Sequence, residues 1–139
     1  MHIAKQRDLN IVVNKSRIAK NFTNLVGVTL RTKKETRSAA GTLLTGYGAR
    51  IVQVDKYNVD VTPSGHFILI SHKDKPGIIG RVGTLLGNND VNIATMQVGR
   101  QDVGGSAVMI LRVDKGTPKE VLQQLLEMPE LNSAKEIII

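Results

Sequence analysis

The feature that most constrains the fold is an almost continuous apolar run, HFILIS, at residues 66–71. Six residues suit a β-strand and are too few for a stable helix. Because side chains alternate between the two faces of a strand, apolar residues at consecutive positions predict burial on both faces. The run therefore predicts a strand that is covered on both sides.

Two helices are predicted after this strand. Within residues 77–88 the apolar side chains recur at i, i+4, i+7 and i+8, which gives a helix with one core-facing stripe. Residues 117–129 predict a second helix, with Thr117 as its N-cap, proline at the first helical position and Glu120 completing a capping box. The stripe of the first helix consists of Ile78, Val82, Leu85 and Leu86.

Further strands are predicted at VNIATMQVG, SAVMILRV and the closing SAKEIII, so residues 66–139 have the order βαββαβ. Split βαβ units of this kind form a ferredoxin-like α+β domain, in which a four-stranded antiparallel sheet carries both helices on one face. The other face has no helix, although HFILIS is apolar on both sides. We therefore expect the first module or a second copy of the chain to cover it, and we expect a homodimer or homotetramer.

The first half of the chain differs in charge and composition. Residues 1–65 hold 11 Lys and Arg against 4 Asp and Glu, whereas residues 66–139 hold 8 against 8. TPSG, at residues 62–65, is the one stretch with linker chemistry. We therefore predict two domains with their border there, the first being a small α/β module that is partial at its N-terminus.

The first module is predicted to consist mainly of short β segments. Residues 3–8 are typical of the last turns of a helix, and β-type segments follow at 10–14, 24–31 and 38–44. The polar stretch RTKKETR is interpreted as a hairpin turn, and a second hairpin is predicted around Asp55 to Asn58.

Composition excludes several classes of protein. The chain has no cysteine, no apolar segment near the length of a membrane span and no signal-peptide core, so we expect a cytoplasmic protein. The glycines at 77, 80 and 83 are three apart, whereas the first two glycines of a dinucleotide fingerprint are two apart. With no metal-ligand cluster and no nucleophile motif either, we expect this chain alone to catalyse nothing and to bind no cofactor or metal.

The glycine-rich start of the first helix has a chemical use. The first N–H groups of a helix lack intrahelical partners and lie at the positive end of its dipole, so they favour a carboxylate or phosphate. Gly77 and Gly80 remove side chains that would block a ligand, and Asp74 offers a carboxylate to an ammonium group. With His72 before it and Asn92 on the next strand, this arrangement suits a free amino acid. The alternative is that Asp74 merely caps the helix and His72 is an ordinary edge residue.

The stretch HKDKPGIIGRVGTLLGNNDVNIATMQVGR resembles the ACT domain at the C-terminus of the D-3-phosphoglycerate dehydrogenase family. The resemblance implies that His72, Asp74 and Asn92, with backbone from Gly77 and Ile78, bind the feedback inhibitor L-serine between paired ACT domains. Asp74 departs from the asparagine of serine-inhibited members. The resemblance also implies that NAD and the oxidoreductase activity belong to a catalytic part outside this chain.

The stretch GTLLTGYGARIVQVDKYNVDVTPSGHFILI resembles the intervening, allosteric-substrate-binding domain of the same family. That resemblance implies an anionic, substrate-like ligand, for which the candidate residues are Gly41, Gly46, Gly48, Arg50 and Lys56; the alternative is a merely solvated surface. Two other families share parts of this organisation. The β-subunit of iron–sulfur L-serine dehydratase joins similar domains, and RNA-binding RRM domains share the βαββαβ order but need aromatic residues on their central strands.

Overall fold

The computed structural model describes residues 12–13 and 22–139, which form two four-stranded antiparallel sheets and two helices. The strands are β1 Val26–Arg31, β2 Thr36–Leu44, β3 Gly48–Val54, β4 Tyr57–Val61, β5 His66–Lys73, β6 Ile93–Arg100, β7 Ser106–Val113 and β8 Leu131–Ile138. The helices are α1 Ile78–Asn88 and α2 Lys119–Leu126. The helix predicted at residues 3–8 and most of the segment predicted at 10–14 lie outside the described residues.

Residues 66–139 have the predicted ferredoxin-like α+β fold. Their sheet has the order β6-β7-β5-β8, so the HFILIS strand β5 has a neighbour on each side. Its even-numbered side chains Ile68 and Ile70 pack with Met109 and Leu111 of β7 against the two helices. From α1, the stripe residues Ile78, Val82 and Leu86 are buried in the same core and Leu85 packs against it.

The first module contributes a sheet of order β1-β2-β3-β4, and both predicted hairpins are present. In β4, Tyr57, Val59 and Val61 are buried while Asn58 and Asp60 are exposed, which is the alternation of a half-buried strand. Between residues 22 and 65 every described element is a strand. Strand β4 therefore has one apolar, buried face and one polar, exposed face.

The apolar faces of the two sheets meet. Phe67 of β5 and Val108 and Ile110 of β7 form a second core with the buried side chains of β4. The first module thus covers part of the helix-free face, which is one of the two covers expected from the sequence. The two sheets approach closely at Gly99 of β6, where a Cβ atom would lie 2.9 Å from Cβ of Tyr57.

The predicted cap of the second helix is wrong. Pro118 is the N-cap residue of α2, with ψ 142°, and no side chain caps the helix. The backbone N–H of Thr117 instead donates to Oε1 of Glu136 at 2.8 Å, across to β8. Glu136 thus accepts from the backbone N–H that Glu120 would bond in a capping box, so the capping box does not form.

Candidate functional site

The N-terminus of α1 is open to a ligand. Gly77 precedes the helix at φ +86°, in the left-handed region that glycine enters without a steric penalty. No side chain caps the helix and its first turn contains no acidic residue. Among the described residues, the N–H groups of Ile79 and Gly80 have no hydrogen-bond partner, and a Cβ atom at Gly80 would meet nothing within 4 Å. The start of α1 is therefore uncapped, and the space beside Gly80 is open.

A shallow groove runs past this helix terminus between the two helices. Its volume is about 680 Å³. From α1 and the turns that flank it the lining includes Gly77, Gly80 and Thr84, and from α2 and its end it includes Gln124 and Met128. The two glycines thus lie on a concave, accessible surface.

His72 lies beneath this surface rather than in it. Its side chain is on the helix side of β5, in line with Ile68 and Ile70, and the residue is 1% exposed. The ring atom Nδ1 lies 2.8 Å from the carbonyl oxygen of Lys73, and Nε2 is buried without a partner. A carbonyl oxygen can only accept a hydrogen bond, so in a neutral ring this contact assigns the proton to Nδ1. Nε2 then has a lone pair that can accept a hydrogen bond.

Asp74 pairs with a residue that the sequence did not indicate. Its Oδ2 accepts from a terminal nitrogen of Arg100 at 2.8 Å and from the backbone N–H of Gly104 at 3.4 Å. The hydrogen bond from Arg100 is the main reason that the pKa of Asp74 lies below its usual value. Asp74 makes no cap to α1, so the alternative of a merely capping Asp74 is wrong. It is an ionised carboxylate whose oxygen Oδ2 already has a cationic partner.

Asn92 lies at the opposite end of the sheet from His72. His72 belongs to β5, and Asn92 directly precedes β6. Both strands are antiparallel to β7, so β5 and β6 run in the same direction. Ile93 and His66 both pair with Val113, whereas His72 pairs with Ala107, roughly 20 Å away at 3.3 Å per residue. The side-chain amide of Asn92 donates to Asp114 at 2.7 Å. One protomer therefore cannot bring Asn92 to the site.

The five residues predicted to bind an anion in the first module are spread over its sheet. Gly46 and Gly48 form the β2–β3 turn with positive φ, while Lys56 lies in the turn at the other end of β3. Arg50 donates to Asp60 at 2.6 Å, which raises the pKa of the arginine. Packing explains the glycine at position 41, because a Cβ atom there would lie 3.1 Å from the carbonyl oxygen of Arg50. The described structure does not gather these residues into one site.

Within residues 12–13 and 22–139 no cluster of His, Asp or Glu has the makings of a metal site. Neither α1 nor α2 has the length and apolar character to cross a membrane, and these are the helices that the described residues form.

Comparison with known families agrees with this architecture. The ACT domain model matches residues 66–130, and the model of the D-3-phosphoglycerate dehydrogenase intervening domain matches residues 1–55. The chain thus joins an ACT domain to a segment of the D-3-phosphoglycerate dehydrogenase intervening-domain family.

Curated relatives identify the longer protein to which this module corresponds. The chain is 37% identical over 135 residues to D-3-phosphoglycerate dehydrogenase of Bacillus subtilis, which covers 97% of this chain and 26% of that protein. It is 38% identical over 135 residues to the enzyme of Methanocaldococcus jannaschii, covering 97% of this chain and 25% of the relative. The Archaeoglobus fulgidus enzyme is 39% identical over 128 residues, covering 91% and 24%. The chain corresponds to the C-terminal regulatory region of D-3-phosphoglycerate dehydrogenase and spans about a quarter of these relatives' length.

Proposed function

We propose that this region binds an amino acid, L-serine, at an interface between two copies of the chain and thereby regulates a D-3-phosphoglycerate dehydrogenase. The longer protein would be an NAD-dependent oxidoreductase that catalyses the first step of L-serine biosynthesis. We assign no dinucleotide to the described residues. The open N-terminus of α1 carries the proposal, because it offers unpaired N–H groups in a groove without a competing acidic side chain.

The ligand chemistry follows from the groups that remain free. The N–H groups of Ile79 and Gly80 suit the α-carboxylate of an amino acid, since they lie at the positive end of the helix dipole. Asp74 brings a negative charge near the ammonium group, although Arg100 already occupies its Oδ2. His72 has an unpartnered Nε2, but it is buried, so a hydroxyl or ammonium group reaches it only if the overlying side chains move.

A second copy of the chain would supply the missing amide. Among the described strands β6 pairs with β7 alone, so a twofold axis could pair two β6 strands in antiparallel orientation. In such a pair the beginning of one β6 lies next to the end of the other. Asn92 of the partner subunit would then approach Arg100, which holds Asp74. Within one chain Asn92 and His72 lie at opposite ends of the sheet, so Asn92 could reach the site only from a second copy. This separation supports the paired arrangement.

Regulation follows from differential affinity. A ligand held by two protomers binds the paired arrangement better than any arrangement in which β6 and its partner are displaced, so it shifts the population toward the paired state. In the longer enzyme that shift would change how the catalytic parts are arranged.

A complementation experiment tests the proposal. Gly80→Asp places a carboxylate where the ligand carboxylate should bind, and Asn92→Ala removes the partner's amide. Each variant alone should lose most L-serine binding in calorimetry. An equimolar mixture that exchanges subunits should regain about a quarter of all sites, because half of the dimers are mixed and each has one intact site.

Asn58→Ala is the matched control, since Asn58 lies exposed on the outer face of β4. We expect it to bind L-serine as the unmodified chain does. The shared site is refuted if both single variants lose binding and their exchanged mixture recovers none. The assignment of an amino-acid effector is refuted if the unmodified chain gives no heat with L-serine, D-serine or glycine.

A further inference from the structure

An apolar cavity separates the two sheets where the first module leaves the ACT sheet uncovered. Its volume is about 410 Å³, which lies within the range of small-molecule sites. One wall consists of side chains from β5, β7 and the end of the chain, and the other consists of side chains from β1 to β4. The apolar lining is Val28, Leu30, Ala39, Ile51, Val54, Val61, Phe67, Leu69, Ile110, Ile137 and Ile139.

The cavity is open along the edges of the two sheets. The sheets touch along β4, where Tyr57 and Val61 are buried. On the far edge of the first sheet Val28 is 66% exposed and Leu30 is 52% exposed, and Ile137 of β8 is 39% exposed. Apolar side chains so exposed around one opening are typical of a surface that another group covers.

The charged residues of the lining are both cations. Arg37 and Lys135 line the cavity, and among the described residues no Asp or Glu side chain does. Arg37 uses its Nε for Asp55, while its terminal nitrogens have no hydrogen-bond partner among residues 22–139. The ammonium group of Lys135 lies 3.9 Å from Glu35, which is an ion pair without a hydrogen bond. Both cations therefore retain donors for an anion at an apolar cavity.

We propose that this cavity binds a medium-chain aliphatic carboxylate, with its alkyl chain between the sheets and its carboxylate between Arg37 and Lys135. The apolar lining would bury the methylene groups, each of which contributes about 0.8 kcal/mol when removed from water. The two cations select an anionic head group over a neutral one. This site is separate from the α1 terminus and stands independently of the proposed L-serine site.

The test is calorimetric titration of the full chain with dodecanoate below its micelle concentration, beside the methyl ester of the same acid. Ala39→Trp fills the cavity from the first sheet and should weaken dodecanoate at least about tenfold. Ile137→Trp fills it from β8 and replaces Ala39→Trp if that variant does not fold by circular dichroism. Lys135→Gln should weaken dodecanoate several-fold and leave the methyl ester unchanged. Lys119→Gln, on α2, is the control for lost charge.

Three results overturn the proposal. Dodecanoate affinity could be the same in the unmodified chain and in the cavity-filling variants, or Lys119→Gln could weaken dodecanoate as much as Lys135→Gln does. Sedimentation could also show a dimer that the filling variants disrupt and dodecanoate leaves intact, in which case the cavity is an interface between copies. Loss confined to the filling variants and to Lys135→Gln supports it.

Discussion

Replacing Gly80 with aspartate should stabilise the fold and weaken ligand binding at the same time. Gly80 is the third residue of α1, is exposed, and has open space where a Cβ atom would lie. Aspartate in the first turn of a helix interacts favourably with the dipole. The same carboxylate would lie where we place the carboxylate of the effector, so stability and affinity should change in opposite directions.

The two effects have different sizes. Replacing a glycine within a helix by aspartate stabilises the helix by about 0.3 kcal/mol through its higher helix propensity. A carboxylate near the helix N-terminus adds about 0.3–1 kcal/mol of stability. The free energy of unfolding should therefore rise by about 0.6–1.3 kcal/mol. Two carboxylates about 5 Å apart repel by about 3 kcal/mol at an effective dielectric constant near 20, and solvent exposure reduces this repulsion. We expect the affinity for L-serine to fall about ten- to a hundredfold.

Thermal denaturation and calorimetry with L-serine measure both effects on the same sample. Gly80→Asn is the matched control, because it adds a side chain of the same size and similar helix propensity without the charge. Equal losses of affinity in the aspartate and asparagine variants would show a steric effect and refute the electrostatic argument. Wild-type affinity in Gly80→Asp would show that the ligand carboxylate does not bind at this terminus.

Two further predictions concern the end of β6. Because Arg100 lowers the pKa of Asp74, the ion pair should stabilise the fold fully above the ordinary aspartate pKa, near 4, and lose its contribution as the pH falls through the lower folded pKa. Asp74→Asn should thus destabilise the chain in urea at pH 7, and its difference from the unmodified chain should shrink as the pH falls below about 4; a difference that does not change with pH would contradict this. Gly99→Ala should lower the free energy of unfolding, measured by urea denaturation, by about 1–3 kcal/mol, because the alanine Cβ would lie 2.9 Å from Cβ of Tyr57. Gly27→Ala, whose Cβ meets nothing within 4 Å, should cost far less, and equal costs would remove the steric explanation.

Local patterns predicted the elements of the fold well. The spacing of Ile78, Val82 and Leu86 fixes a helix because these positions share one face, and all three are buried. Apolar residues on both sides of β5 required two covering layers, and the structure has helices on one side and β4 on the other. The sequence left open which element forms the second cover, because either candidate buries the same apolar surface.

Contacts between residues that are far apart in the sequence were harder to predict. Arg100 reaches Asp74 only because β6 and β7 form a hairpin whose turn lies beside the end of β5, 26 residues away along the chain. The separation of Asn92 from His72 could have been deduced, since the βαββαβ order makes β5 and β6 parallel. The cap at Thr117 failed because a contact with Glu136, 19 residues away, outcompeted a local pattern.

Three successive residues at the end of β6 make contacts in two directions. Gly99 packs against Tyr57, Arg100 holds Asp74, and the side-chain amide of Gln101 donates to the carbonyl oxygen of Lys56 at 3.3 Å. Neighbouring Cα atoms along a chain stay 3.8 Å apart, so this peptide segment cannot stretch. We therefore expect a ligand that shifts the backbone at Arg100 to shift the turn between β3 and β4 as well, so that this end of the ACT sheet is mechanically linked to the first sheet.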